Sequence, residues 1–297
     1  MKRGRTENLV YNDGVYEREV VVSEGLLRFI YDNPVGRSTV LHMVKRKFAS
    51  RLYGRYCKTS MSARKIPRFI RENRIDMTGC DGIYSSFAEF FARERKDVAF
   101  PAEPNVLGSP AEGLAAIRAD IRKDALITAK NNTFSMQELL GSRSLANDYD
   151  GGVMAHIRLT PANYHRIHFF DDGIITDCKH IDGVLHSVNP LAVSRIAKLY
   201  CGNKRDLLLF SSKNFGEVAL VAVGATFVGS IVHCFEIGEP VTRGSQCSYF
   251  LPGGSLLIAF FKKGSFIPDD TLLKQTSLGY ESKINIGAPF GYALEVR

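Results

Sequence analysis

Apolar residues recur at helical spacing in the first hundred positions. In residues 38–56 an apolar side chain returns every three or four positions, and Lys and Arg occupy most of the remaining arc. This pattern predicts a basic amphipathic helix, with Ser38 as its N-cap. Such a helix can pack on its own domain or lie on a membrane surface, and the pattern leaves both possibilities open. Its apolar positions are Val40, Leu41, Val44, Phe48 and Leu52.

Two further helical stretches are predicted downstream. The first covers residues 62–73, where Pro67 either starts or breaks the helix. The second covers residues 85–95 and has three phenylalanines on one side. Helices therefore dominate the predicted N-terminal region.

The pattern changes after about residue 100 to short β-rich runs separated by Gly, Pro, Asn and Asp. We expect an α+β protein, with a helical N-terminal region (residues 1–98) followed by a mostly antiparallel β domain (residues 99–297). The predicted strands are 114–117, 153–159, 173–178, 207–210, 218–223, 227–235 and 256–261.

The longest stretch without Lys, Arg, Asp or Glu among these runs covers residues 218–235. At this length it is just long enough to raise the question of a membrane span. Gly224 and Gly229, together with the valines around them, favour two strands joined by a turn instead.

Positive charge is concentrated at the N-terminus. The chain has a net charge of +8, and residues 1–75 hold 17 Lys and Arg against 7 Asp and Glu, which leaves −2 for the rest (8 − 10). A basic segment of this kind could meet nucleic acid or an anionic membrane. A nucleic-acid binder of this kind would have aromatic and basic residues interleaved on strands. The basic residues here cluster on predicted helices, so we do not expect a nucleic-acid partner.

The cysteines and the N-terminus indicate the compartment. Six cysteines are scattered without CxxC pairs, so the sequence predicts neither a zinc site nor a disulfide framework. The basic N-terminus is not followed by an apolar segment, so it does not resemble a secretory signal. We expect a reducing compartment.

Two short segments could carry chemistry. His165 and His168 lie three residues apart, a spacing that suits a metal site on a helical turn or a base and proton donor. No third metal ligand follows from the pattern, and a structural role stays open. Gly254-Ser255 precedes an apolar run, and alone it is more typical of a turn before a strand. Ser255 lies in no GxSxG motif, which argues against a Ser-His-Asp hydrolase.

Taken together, these segments resemble the phosphatidylserine decarboxylases, and further segments match in the same order. The resemblance extends from about residue 32 to residue 263. The matching segments are 84–93 (YSSFAEFFAR), 109–113 (SPAEG), 161–168 (PANYHRIH), 185–190 (LHSVNP), 221–231 (VAVGATFVGSI) and 253–255 (GGS).

The chain departs from the family pattern at three positions. The family usually has Asp where this chain has Glu112, Asp where it has Asn163, and Pro where it has Phe170. Glu112 matters most, because the resemblance implies that this carboxylate orients the catalytic histidine. A glutamate keeps the charge and adds one methylene group.

The resemblance implies a precursor that cuts itself between Gly254 and Ser255. The products would be a β chain of residues 1–254 and an α chain of residues 255–297. In this scheme His168 activates Ser255, Glu112 holds the His168 imidazole, and Ser255 becomes a covalent pyruvoyl group, with no metal. The amine of phosphatidylserine would form a Schiff base with that group, and His165 would donate the proton that replaces carbon dioxide, giving phosphatidylethanolamine.

The resemblance also suggests partners and location. The implied partners are phosphatidylserine and an anionic membrane surface, and dimerisation of the two-chain unit is an expectation. The basic N-terminal region would attach the enzyme peripherally to the cytoplasmic face of the cell membrane. Two alternatives remain: a lipid-binding homologue whose Glu112 prevents cleavage, and a pyruvoyl decarboxylase that acts on a different phosphoserine lipid.

Overall fold

A computed structural model of the chain describes residues 9–19, 24–33, 47–80, 82–129, 132–225, 231–252 and 255–294. Residues 38–46 of the predicted 38–56 helix, with the proposed cap Ser38, lie outside these residues. The remainder forms the helix α2. The described helices of the N-terminal region are α1 (Glu24–Asp32), α2 (Lys47–Cys57), α3 (Ser60–Ala63), α4 (Ile66–Asn73) and α5 (Phe87–Phe91).

Local signals account for the boundaries of α4 and α5. Pro67 occupies the first turn of α4, where its missing N–H breaks no helical hydrogen bond, so it starts this helix. Ser86 caps α5 by accepting a hydrogen bond from the Glu89 N–H at 3.2 Å. The three phenylalanines of α5 are buried, as their spacing predicts: Phe87, Phe90 and Phe91.

A ten-stranded sheet organises the rest of the described chain, in the order β13-β9-β10-β11-β15-β7-β4-β17-β1-β2. Every neighbouring pair is antiparallel except β1 and β17, which confirms the mostly antiparallel α+β class. Its strands are β1 (Leu9–Asn12), β2 (Val15–Arg18), β4 (Gly113–Ile121), β7 (Gly152–Leu159), β9 (Gly173–Ile181), β10 (Arg205–Ser212), β11 (Gly216–Gly224), β13 (Pro240–Val241), β15 (Ser255–Phe261) and β17 (Glu281–Ile284).

Smaller sheets and short helices surround this sheet. The strands β12, β14 and β8 form one small sheet, β16, β18 and β3 a second, and β5 and β6 a hairpin. Their bounds are β3 (Val106–Gly108), β5 (Ile127–Ala129), β6 (Asn132–Phe134), β8 (Arg166–His168), β12 (Ile231–His233), β14 (Gln246–Phe250), β16 (Phe266–Pro268) and β18 (Pro289–Ala293). The helices are α6 (Met136–Leu140), α7 (Arg143–Asp148), α8 (Pro190–Val193), α9 (Leu199–Gly202) and α10 (Asp270–Ser277).

The central strands are buried on both faces, which explains their continuous apolar sequence. Along β15, Leu257, Ala259 and Phe261 enter one hydrophobic cluster. The alternate residues Leu256, Ile258 and Phe260 enter the cluster on the other face. A strand that supports two cores has little freedom to shift its register.

The strand predictions are confirmed in position, and most strands extend beyond the predicted ends. Within the predicted strand 227–235, the structure describes β12, while residues 226–230 lie outside the described part. The N-terminal region differs from the helical prediction because β1 and β2 form a hairpin that joins the large sheet through β17. The histidine segment, considered for a helical turn, instead leads into β8.

A buried ion cluster links that hairpin region to the sheet. Arg158 of β7 donates to Glu281 of β17 at 2.7 Å and to Glu19, just after β2, at 2.8 Å. All three side chains are buried. Breaking one partner of such a cluster leaves an uncompensated charge in a low-dielectric interior.

None of the described helices is long and apolar enough to cross a bilayer.

We predict that Arg158→Met lowers the free energy of unfolding by about 3–5 kcal/mol, because both glutamates would stay buried without their cation. The measurement is urea unfolding in a Ser255→Ala background, which keeps the chain in one piece. Arg68→Ala is the control, because it removes only an exposed pair with Glu72. Equal stability of R158M and its parent would contradict this role for the cluster.

Candidate active site

Ser255 is the first residue of β15 and lies between two strands of the large sheet. It pairs with Gly224 of β11 on one side and with Leu159 of β7 on the other. Its side chain is fully buried. The hydroxyl group is therefore held by the sheet, away from bulk water.

His165 contacts this hydroxyl directly. Its Nδ1 lies 3.2 Å from Ser255 Oγ, and its Nε2 lies 3.0 Å from the carbonyl oxygen of Thr160. A carbonyl only accepts hydrogen bonds, so Nε2 carries the ring proton. In the neutral ring Nδ1 is then unprotonated and accepts the hydrogen bond from Ser255.

The surroundings of His165 favour this neutral form. The ring is fully buried and stacks on Phe91 with 3.9 Å between centroids. Burial, with a smaller contribution from the positive charge of Arg93, lowers the pKa of His165 to about 3. His165 is thus a neutral proton acceptor at physiological pH.

His168 lies at the end of β8 and is held by two different partners. Its Nδ1 is 2.7 Å from the carbonyl oxygen of Gly244, and its Nε2 is 3.1 Å from the hydroxyl oxygen of Tyr164. The carbonyl fixes the proton on Nδ1, so in the neutral ring Nε2 accepts from Tyr164. Burial lowers the pKa of His168.

Glu112 does not hold the His168 imidazole directly in this structure, unlike the arrangement expected from the resemblance. Its Oε1 accepts hydrogen bonds from Asn163 Nδ2 at 2.8 Å and from the Tyr164 N–H at 3.4 Å. Its Oε2 pairs with Arg95 at 3.1 Å. Among the described residues, Glu112 is therefore linked to His168 through Tyr164, and the Gly244 carbonyl orients the ring.

The two departures Glu112 and Asn163 are in contact with each other. Asn163 Oδ1 accepts from the N–H and the hydroxyl of Thr160, both at 2.8 Å, while Asn163 Nδ2 donates to Glu112. An aspartate at 163 could keep the bonds from Thr160 but has no N–H for the glutamate. The longer carboxylate at 112 and the amide at 163 thus form a matched pair.

Phe170, the third departure, lies in the hydrophobic core. It is buried and contacts the rings of Phe210, Phe215 and Phe261. Its role in the structure is packing.

The remaining motif segments hold the site in place. The main chain of Pro110 accepts from the His168 N–H at 2.9 Å. Gly113 begins β4 where an added Cβ would lie 2.6 Å from the carbonyl oxygen of Arg158, so this close strand contact requires glycine. Arg166 donates to the carbonyls of Ala92 and Arg93, which fixes the end of α5 beside β8.

Sequence reasoning missed Asn203, which joins two of the motif segments. It is fully buried, and its Nδ2 donates to the carbonyl oxygens of His186 at 2.7 Å and Gly224 at 2.8 Å. Gly224 is the partner of Ser255 across β11 and β15. No local pattern marks Asn203, because its partners are distant in sequence. Phe91 and Gly244 were missed as site residues for the same reason. Thr160 was missed although it lies five residues from His165, because the contact uses its main-chain carbonyl and not its side chain.

A polar cavity of about 510 Å³ lies beside the Glu112–Asn163 pair. Glu112, Asn163 and Thr160 contribute to its wall, and the end of the N-terminal hairpin at Glu19 closes part of it. Among the described residues, no group of three or more His, Cys, Asp or Glu side chains could hold a metal ion. All six cysteines are unpaired.

Comparison with known proteins shows extensive similarity. A sequence profile described as phosphatidylserine decarboxylase matches residues 87–291. A protein of Clostridium novyi (strain NT) named phosphatidylserine decarboxylase proenzyme is 40% identical over 285 residues, covering 94% of this chain and 97% of that protein. Proteins of the same name from Clostridium botulinum (strain Kyoto / Type A2) and Clostridium perfringens (strain SM101 / Type A) are 38% and 37% identical, each covering 93% of this chain and 95% and 96% of their own lengths.

We predict that acid destabilises the fold partly through His165. Its folded pKa is about 3, whereas an unfolded histidine titrates near 6.5, so stability falls as the pH drops below about 6.5. At about pH 5 this amounts to about 2 kcal/mol relative to about pH 7. Urea unfolding of Ser255→Ala and Ser255→Ala/His165→Gln at both pH values measures it.

The glutamine at 165 can still donate to Thr160, which makes it a suitable comparison. Other buried groups titrate equally in both proteins, so the difference between their acid losses isolates His165. The same loss in both proteins would show that His165 is not held neutral.

Proposed function

The chain belongs to the phosphatidylserine decarboxylase family, and on that premise we propose that it is a self-cleaving precursor that converts phosphatidylserine to phosphatidylethanolamine. The observation that carries the proposal is the buried Ser255 hydroxyl at the start of β15, in contact with the neutral His165. The name proenzyme of its relatives supports the precursor form.

In the proposed maturation the Ser255 hydroxyl attacks the carbonyl carbon of Gly254. The peptide C–N bond breaks as an ester forms, and β-elimination of that ester leaves a Gly254 carboxylate and a dehydroalanine at 255. Hydrolysis then releases ammonia and leaves a pyruvoyl group. This group has fewer atoms than the serine residue, so it fits the space that Ser255 occupies.

The base for this step remains the proposal that the resemblance implies, His168. Its unprotonated Nε2 can accept a proton. The Tyr164 hydroxyl already hydrogen-bonds that nitrogen, so Tyr164 would take part in the proton transfer. Burial raises the pKa of Tyr164 to about 12, so the phenol keeps its own proton and remains a hydrogen-bond donor. Glu112 would act on this pair through the Tyr164 N–H.

After cleavage the pyruvoyl group would supply an electron-withdrawing carbonyl to which the substrate amine can be joined. His165 faces position 255 with a free nitrogen, so it can take a proton from the incoming ammonium group. It can then return that proton to the carbon from which carbon dioxide leaves. A low pKa favours the second step, because the protonated ring readily gives up its proton.

The two chains produced by cleavage would stay associated. Residues 1–254 contain β11 and β7, and residues 255–297 begin with β15, which lies between them. The strand pairing and both hydrophobic clusters hold β15 from either side. The mature enzyme would therefore be an α and β heterodimer from one precursor.

We also include peripheral attachment to the cytoplasmic face of an anionic membrane in the proposal. Helices α2 to α4 and the following loop expose Leu52 (60%), Met61 (64%) and Ile83 (fully). Several exposed cations accompany these apolar side chains, and this combination suits anionic lipid. The unpaired cysteines are compatible with a reducing cytoplasm. The exposed cations are Arg55, Lys58, Arg64, Lys65, Arg68, Arg71 and Arg74.

We predict that His165→Gln and His168→Asn separate the two reactions. H165Q keeps the donor to Thr160 and loses the proton acceptor, so it should be cleaved yet decarboxylate about 10²–10⁴-fold more slowly. H168N keeps the donor to Gly244 and should remain one intact chain. Denaturing gels and intact mass follow cleavage, with an α fragment that starts at residue 255 and lacks a free amine. Carbon dioxide release from phosphatidylserine follows catalysis.

Ser255→Ala is the control for absent cleavage. Cleaved H168N together with intact H165Q would reverse the two roles and make His165 the maturation base. A wild-type chain that stays intact and binds lipid would instead identify the lipid-binding homologue.

We predict that Leu52→Glu/Met61→Glu weakens binding to anionic vesicles by about tenfold or more, because two exposed apolar side chains that would enter the bilayer become charged. Vesicle sedimentation at low and moderate salt measures the binding. Leu278→Glu is the matched control, because Leu278 is similarly exposed (56%) but lies just after α10 in the β-rich part. Equal loss in L278E would argue against docking through the helices.

A further inference from the structure

Arg93 is a buried cation beside the active site with unused donors. Its side chain is only 3% exposed, and its Nε and Nη1 have no hydrogen-bond partner among the described residues. Its Nη2 donates to the carbonyl oxygens of Ala162 and Asn163, both at 3.3 Å. An arginine cannot escape burial by losing its proton, so unused donors of this kind are costly.

Three other arginines near the site have carboxylate partners. Arg95 pairs with Asp97 and Glu112, Arg158 with Glu19 and Glu281, and Arg166 with Glu94. By contrast, the guanidinium of Arg93 lies over the Phe90 ring, with 5.1 Å to its centroid. A buried charge left uncompensated beside a reactive group indicates a place for an anion.

Arg93 is also close to the reacting position. Its charge acts on His165, whose ring contacts Ser255. The carbonyls that it binds belong to Ala162 and Asn163, which line the polar cavity. An anion held by Arg93 would therefore lie next to a substrate joined at position 255.

We propose that Arg93 binds the phosphodiester group of the lipid headgroup, an inference that rests on the proposed function. The substrate carries two anions, the carboxylate and the phosphodiester. A cation on the carboxylate would stabilise the ground state more than the transition state, because that charge disappears as carbon dioxide leaves. The phosphodiester keeps its charge throughout, and the unused donors of Arg93 can hydrogen-bond its oxygens.

Binding to the uncleaved protein tests this proposal without any turnover. The probe is glycerophosphoserine, a water-soluble headgroup without acyl chains, and the protein is Ser255→Ala. Calorimetry compares it with Ser255→Ala/Arg93→Met and Ser255→Ala/Arg93→Lys. We expect R93M to weaken binding about tenfold or more, since a hydrogen bond to a charged group contributes about 1.5–3 kcal/mol, and R93K to recover part of the loss.

Arg118→Met in the same background is the matched control. Arg118 is half-buried, and its Nε also has no partner among the described residues. It pairs with Met154 on β7, five residues from Leu159, the partner of Ser255, or about 16 Å along the sheet. R118M should bind glycerophosphoserine like its parent, and thermal unfolding of all variants shows whether each is folded.

Free serine separates the two anions. It carries the carboxylate and no phosphate, so R93M should leave its binding unchanged. Equal losses for serine and glycerophosphoserine would assign Arg93 to the carboxylate and overturn the proposal, as would unchanged glycerophosphoserine binding by R93M. If R93M does not fold, R93K must show the weaker binding on its own.

The cleavable chain gives an independent readout. R93M should still be cut into two fragments, while its KM for phosphatidylserine rises about tenfold or more by the same hydrogen-bond argument. A wild-type chain that neither cuts itself nor releases carbon dioxide would refute the proposed function. The calorimetric comparison would still decide the role of Arg93.

Discussion

The contact between Ser255 and His165 is the interaction on which the site depends, and it follows from where β15 begins. The serine is fixed by strands on both sides, and the histidine is fixed by the Thr160 carbonyl at the end of the neighbouring strand. That carbonyl decides which ring nitrogen carries the proton, so the nitrogen facing Ser255 is free to accept one. Phe91 covers the ring and keeps water away.

A second feature near this contact is the way the carboxylate at position 112 is held. Glu112 is bound by Asn163 and Arg95 and touches the main chain of Tyr164. The two departures from the family pattern are therefore coupled. The longer side chain at 112 places its carboxylate where the amide of Asn163 can donate a hydrogen bond to it. A direct carboxylate contact with His168 is replaced by the Gly244 carbonyl, which orients the ring without adding charge.

The arginines of the site differ in how their charge is compensated. Arg158 and Arg95 are compensated by carboxylates, and they join the N-terminal hairpin and the 160–163 turn to the sheet. Arg93 is buried without such compensation, next to a histidine kept neutral. The proposed substrate would complement both groups, with its phosphodiester bound by Arg93 and its ammonium group near His165.

Sequence patterns alone predicted the α+β class and the positions of the central strands, and the resemblance to the family proposed the residues of the site. The class and the strands follow from local patterns, namely apolar runs that fill two cores and helical spacing before residue 100. The roles of His165, His168 and Ser255 follow only from the ordered motifs that resemble the family. The place of the β1 and β2 hairpin in the large sheet, the partner of each histidine, and the pairing of Glu112 with Asn163 became visible only in the folded protein. The contacts of Asn203 and the unpartnered donors of Arg93 are likewise visible only in the folded structure. The physical reason is that hydrogen bonds and charges are satisfied by residues distant in sequence, and a local pattern does not show which partner the fold brings near.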